Sequence, residues 1–143
     1  MIRKLQKVDI NRVADIWLKT NLKAHFFIPE QYWISNYEFV KEMLSQAEVY
    51  VYEDDKMIQG FIGVSDEYIE GIFVSDEMQS RGIGKILLDY IKDKKDRLQL
   101  KVYQKNVRAM SFYQREGFTI QSESMDEFTG EKEYVMNWES SGI

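Results

Sequence analysis

The chain contains no cysteine, one histidine and one proline in 143 residues. The first two scarcities exclude whole chemistries: thiol nucleophiles, thiolate zinc sites and any centre that needs two histidines. No metal site is expected. Also missing is a run of about eighteen apolar residues able to span a bilayer, and the N-terminal "MIRKLQKVDI" is too polar for a secretory signal. The sequence therefore reads as a cytoplasmic protein without a membrane partner. Basic residues are outnumbered, 19 Lys and Arg against 24 Asp and Glu, and the net charge of −5 argues against a nucleic-acid backbone as partner and for a cationic one. What remains for chemistry is carboxylates, tyrosines, backbone groups, His25 or a borrowed cofactor.

The length fits a single domain spanning 1–143, large enough to bury a core without disulfides. After a short N-terminal strand, Asp9 stands where an N-cap belongs, and Ile10, Val13, Ala14, Trp17 and Leu18 recur at helical spacing. This predicts a helix from about Asp9 to Leu22. A second helix is expected over "PEQYWISNYEFVKEMLSQ", with Pro29 at its start. The period then changes, and "AEVYVYEDDKMIQGFIGVSDEYIEGIFV" reads as three strands in an antiparallel meander, joined through "EDDK" and "SDE". An amphipathic helix carrying Ile83, Leu87, Tyr90 and Ile91 follows, then the alternating strand "LQLKVYQ". A short helix opens at Asn106 and closes at Gly117, and two further strands end the chain around the turn-like "TGEK". The expected class is α/β in the α+β sense: a mixed, mostly antiparallel sheet of seven strands flanked by four helices.

The segment "EGIFVSDEMQSRGIGKILLDY" places Gly82 and Gly84 where a strand gives way to a helix, although glycine in a first turn weakens a helix. Two phosphate-binding patterns fail here. A Walker A loop would have Gln79 at its first glycine and Ile86 at its hydroxyl position, and a dinucleotide fingerprint would meet Leu87 at its third glycine. The pattern Gln/Arg-x-x-Gly-x-Gly/Ala is matched at every fixed position by Gln79, Gly82 and Gly84. A tight structural bend is the competing account of the two glycines.

A second match lies at residues 102–118, "VYQKNVRAMSFYQREGF", where an asparagine opens a helix, Phe112 and Tyr113 follow, and Gly-Phe closes it. Together the two segments resemble the acyl-CoA loop and the following strand-to-helix unit of the GNAT superfamily of N-acetyltransferases. The resemblance extends to a bacterial branch that acetylates protein lysines, through the "AHFFI" stretch between the first two helices. It implies acetyl-CoA as co-substrate. The diphosphate would meet unpaired N–H groups of the bend Gln79, Ser80, Arg81, Gly82, Ile83, Gly84 and Lys85, at the positive end of a helix dipole. It also implies that the exposed backbone of Ile72, Phe73 and Val74 lends itself to the pantetheine arm and the thioester oxygen, with Gly71 suited to a bulge.

Tyr113 follows Asn106 by seven residues, two helical turns, so the two share one helix face. By resemblance Tyr113 is the general acid beside the sulfur and Asn106 contacts the coenzyme. A core aromatic and a plain N-cap are the readings that pattern alone offers. For the base that must take a proton from an amine, Glu70 and His25 are the two candidates. Glu70 could equally be a solvated strand residue, and His25 could line the acceptor groove. The expected activity is acetyl transfer from acetyl-CoA to a primary amine by direct attack, the amine belonging to a protein lysine or N-terminus. A small polyamine, an aminoglycoside, or a non-catalytic acyl-CoA-binding module of the same fold are the alternatives. The expected state is a monomer or homodimer.

Overall fold

The computed structural model describes residues 1–141. Seven strands form one sheet, β1 (Ile2–Lys4), β2 (Glu48–Asp54), β3 (Met57–Ser65), β4 (Tyr68–Val74), β5 (Arg97–Tyr103), β6 (Thr119–Met125) and β7 (Lys132–Glu139). Their order is β1-β2-β3-β4-β5-β7-β6. The predicted meander is present: β2 pairs antiparallel with β3, and β3 with β4. The β2–β3 turn is tight enough to hold Asp55 and Lys56 at φ 51° and 63°. Every neighbouring pair is antiparallel except β4 and β5, which run parallel across the intervening helix α4 (Ile83–Lys92).

Two apolar clusters lie on opposite faces of this sheet, because side chains alternate along each strand. On one face Ile62, Val64, Ile69, Leu98, Leu100 and Met136 pack against Leu87, Leu88 and Ile91 of α4 and Tyr113 of α5 (Val107–Arg115). On the other, Val49, Val51 and Phe61 pack against Val13, Ala14 and Ile16 of α1 (Ile10–Ala24) and Leu44 of α3 (Tyr37–Leu44). Burying each Val, Leu, Ile, Phe or Met among them contributes about 1.5–3 kcal/mol. β3 carries apolar residues on both sides and is buried from Ile58 to Val64, as a strand covered on both faces must be.

The predicted second helix is broken. It divides into α2 (Glu30–Ser35) and α3 at Asn36, whose side-chain amide donates to the Tyr32 carbonyl at 2.6 Å and takes up part of the helical ladder. Asp9 does not act as the side-chain cap of α1 either. Its carboxylate accepts from the Gln6 amide at 2.8 Å and from Arg3 Nη1 at 2.7 Å, closing the preceding 3-10 turn instead. Asn106 does cap α5, accepting from the Ala109 amide at 3.2 Å, and Gly117 ends it with φ 94°.

Candidate active site

At the site-bearing end of the sheet β4 separates from β5. The two strands pair at one position, Tyr68 with Gln99, and beyond it Ile72, Phe73 and Val74 pair with β3 and with no other strand. A bulge helps to set this divergence: Gly63 pairs with Gly71 and Val64 with Ile69, leaving Glu70 as the extra residue. A cavity of about 580 Å³ opens along the free edge. It reaches from Thr20, Asn21 and His25 at the end of α1 to the bend before α4 and the inward side of α5.

The bend itself is held in an unusual backbone conformation. Ser80 and Gly82 both have positive φ, 65° and 84°. Gly82 sits at the N-cap of α4, and among the described residues the amides of Ile83, Gly84 and Lys85 have no hydrogen-bonded partner, the first ladder bond being Ile86 to the Gly82 carbonyl at 3.0 Å. The two glycines do different things. A Cβ on Gly82 would meet nothing within 4 Å but would be strained by its backbone, whereas one on Gly84 would touch Phe112 Cζ at 3.5 Å and Val74 Cγ2 at 4.0 Å. A side chain at Gly84 would thus lie in ordinary contact with α5 and β4, whereas one at Gly82 would stand in open space.

Sequence reasoning passed over Arg108, which fastens the bend. Its guanidinium donates to Gln79 Oε1 at 2.8 Å and Ser80 Oγ at 2.9 Å, while Gln79 Nε2 donates to the Val74 carbonyl at 3.1 Å. A signal existed: a basic residue in the first turn of a helix opposes the helix dipole, which argues for a task elsewhere. Lys85 and Arg115 add positive charge to the cavity wall, and Lys85 is paired with Glu116 at 3.0 Å. These groups suit a multiply charged anion.

Of the residues singled out in the sequence, Ile72, Phe73, Val74, Gln79, Ser80, Gly82, Ile83, Gly84, Lys85, Asn106, Tyr113 and His25 line the cavity. Arg81 and Glu70 do not. Arg81 is exposed, and the bulge leaves Glu70 exposed on the α1 side of the strand, its Cβ 3.8 Å from where a Gly63 side chain would start. Tyr113 is 8 % exposed, and burial first, then the neighbouring Tyr68, pushes its hydroxyl well above the ordinary tyrosine range. It stays protonated at neutral pH. Tyr68 was also passed over in the sequence; burial and then Glu70 raise it to about 12.

His25 is enclosed by aromatic rings, stacked on Trp33 at 5.5 Å and edge-on to Tyr103 at 4.9 Å. Both ring nitrogens are engaged, Nδ1 with Asn21 Oδ1 at 2.9 Å and Nε2 with Asn106 Nδ2 at 3.0 Å. Burial lowers its pKa to about 4, so the ring is neutral.

An unpaired strand edge leading into a helix start with free amides, beside a buried tyrosine, suits an extended ligand with an anionic end. Comparison with known proteins agrees. Residues 45–120 match the family described as the acetyltransferase (GNAT) domain. The peptidyl-lysine N-acetyltransferase YiaC of Escherichia coli K12 is 32% identical over 140 residues, 96% of each chain. YjaB from the same organism, also a peptidyl-lysine N-acetyltransferase, is 22% identical over 95% of this chain and 93% of its own. Among solved structures, apo YjaB from Escherichia coli superposes with a TM-score of 0.87 at 20% identity, covering 96% of both chains. The PaiA N-acetyltransferase of Thermoplasma acidophilum, solved with coenzyme A, gives 0.80 at 21% identity over 98% of both. The chain belongs to the GNAT family and is an N-acetyltransferase. Among the described residues no helix is long and apolar enough to cross a membrane.

Proposed function

We propose that this protein acetylates the side-chain amine of lysine in polypeptides, with acetyl-CoA as donor. The observation that carries the donor half is the continuity of the cavity, which runs from the free edge of Ile72–Val74 to the unpaired amides of Ile83–Lys85. The acceptor half is supported by the 32% identity to a peptidyl-lysine N-acetyltransferase over nearly the whole chain.

In this reading the coenzyme supplies an activated acetyl thioester. Amides of the α4 N-terminus, with Arg108 holding Gln79 and Ser80 in place, bind the diphosphate. The backbone of Ile72, Phe73 and Val74 orients the pantetheine arm as an added strand, and an N–H of that edge stabilises the developing oxyanion. Asn106 contacts the arm from the start of α5. Tyr113, whose burial keeps its hydroxyl protonated, donates that proton to the departing thiolate. The acceptor, having released a proton to solvent, adds as the free amine to the thioester carbon to give the oxyanion. The carbon–sulfur bond then breaks as the sulfur takes the Tyr113 proton, and the proton left on nitrogen passes through solvent back to the tyrosinate.

The test is thiol release from acetyl-CoA across an amine panel: lysine peptides with blocked N-termini, peptides with a free α-amine and no lysine, a polyamine and an aminoglycoside. Turnover on blocked lysine peptides is expected. Turnover confined to the small amines would refute the acceptor assignment while leaving the donor site standing.

A further inference from the structure

We infer that His25 is a positioning residue, which holds Asn106 and the start of α5 in register with the donor cavity through a chain of directed hydrogen bonds. The inference rests on the donor site proposed above. It assigns His25 a task other than proton abstraction.

Every direction in the chain is forced by the next bond along. Asn21 Nδ2 donates to the Trp17 carbonyl at 2.9 Å, so its Oδ1 is the atom left to accept from His25. His25 must then carry its proton on Nδ1. At the far end Asn106 Oδ1 accepts the Ala109 amide, so Asn106 Nδ2 is the donor facing His25 Nε2. The Nε2 lone pair that a base would use is occupied. A proton placed there would set N–H against N–H.

No neighbouring charge offsets that cost. The ring is packed by Trp33 from α2, Phe27 from the α1–α2 joint and Tyr103 from β5, and Tyr103 spends its hydroxyl on Asp126 at 2.5 Å. Lys105 lies over Phe27 at 5.4 Å, and it would disfavour a second positive charge. Asn21, His25 and Asn106 all line the cavity, and Asn21 is 4 % exposed. The chain therefore links the α1 side of the sheet to the α5 side across the cavity. Its effect is to fix the amide that would touch the donor before the donor arrives.

His25 is the molecule's only histidine, so one imidazole signal reports its state. Nitrogen-15 NMR of the full chain at pH 7 should show the Nδ1–H tautomer in the wild type, retained in Asn106→Ala, where Asn21 still accepts from Nδ1, and a shift toward Nε2–H when Asn21 and Asn106 are both replaced by Ala. An Nε2–H or fully protonated ring in the wild type overturns the inference. For function, His25→Phe is expected to raise the dissociation constant for coenzyme A about tenfold, read by calorimetry without any acceptor. His25→Gln, which can present one donor and one acceptor, should recover most of that loss. The Asn106→Ala and His25→Phe effects should not add in the double variant. Additive effects would overturn the inference, and a hundredfold fall in kcat for His25→Gln with donor affinity intact and the acid limb of the pH profile removed would make His25 the base instead. Because tautomer and donor affinity need no acceptor amine, a wrong acceptor assignment would not disguise either result.

Discussion

Acidification should expose the neutrality of His25 as a loss of stability. Its pKa is about 4 in the folded chain because burial disfavours the charged ring, against about 6.5 when unfolded. The unfolded chain therefore takes up the proton first. Stability from this group is complete above about pH 6.5, is lost as pH falls, and levels off near pH 4. The two values give a loss of about 2 kcal/mol at pH 5 relative to pH 8, approaching about 3 kcal/mol below pH 4. Acidification also acts on the rest of the chain, so the measurement is a difference between two proteins. Urea unfolding, followed through tryptophan fluorescence, would be run from pH 5 to pH 8 on the wild type and His25→Gln. The wild type should lose about 2 kcal/mol more than the variant over that interval. Equal losses would mean that the ring titrates normally in the folded state. A smaller loss in the wild type would mean that it is charged there, and the forced tautomer would be wrong.

Tyr113→Phe should lower kcat by about a hundredfold or more while leaving coenzyme A affinity within twofold, as steady-state kinetics and calorimetry would read; an unaltered rate would remove its role as proton donor. Gly82→Ala should destabilise by about 1–2 kcal/mol through its positive φ and weaken donor binding. Gly84→Ala, meeting Phe112 at an ordinary 3.5 Å, should be near neutral in thermal melts. Arg3 holds Asp9 well below the usual carboxylate range, so Asp9→Asn should cost about 1–3 kcal/mol at pH 7 and nothing below the folded pKa of Asp9, where the carboxyl is already protonated.

The elements easiest to read from the sequence were those whose local chemistry and tertiary packing agree. Alternation in "LQLKVYQ" and the Asn106 and Gly117 boundaries of α5 needed no long-range information. The break at Asn36 was hidden because the apolar spacing of α3 continues that of α2 closely enough to mimic one helix. Asp9 looked like a cap because its competing partner, Arg3, is joined to it only when β1 folds against α1. At the site, the cavity-lining stretch 79–85 is visible in residue types, apart from Arg81, whose exposure depends on how the bend folds. The environment of His25 was not legible, since three of its neighbours, Trp33, Tyr103 and Asn106, come from separate elements. Asn21 did leave a trace: it is a polar residue four positions after Trp17, on a stripe otherwise apolar.

Because the two apolar clusters lie on opposite faces of one sheet, each can be rebuilt with little disturbance to the other. Under the proposed function, sequence drift in α1–α3 would leave the donor contacts of α4 and α5 in place. Grafting that front half from one relative onto the back half of another should give folded chimeras, provided that Asn21, His25 and Asn106 travel as a set.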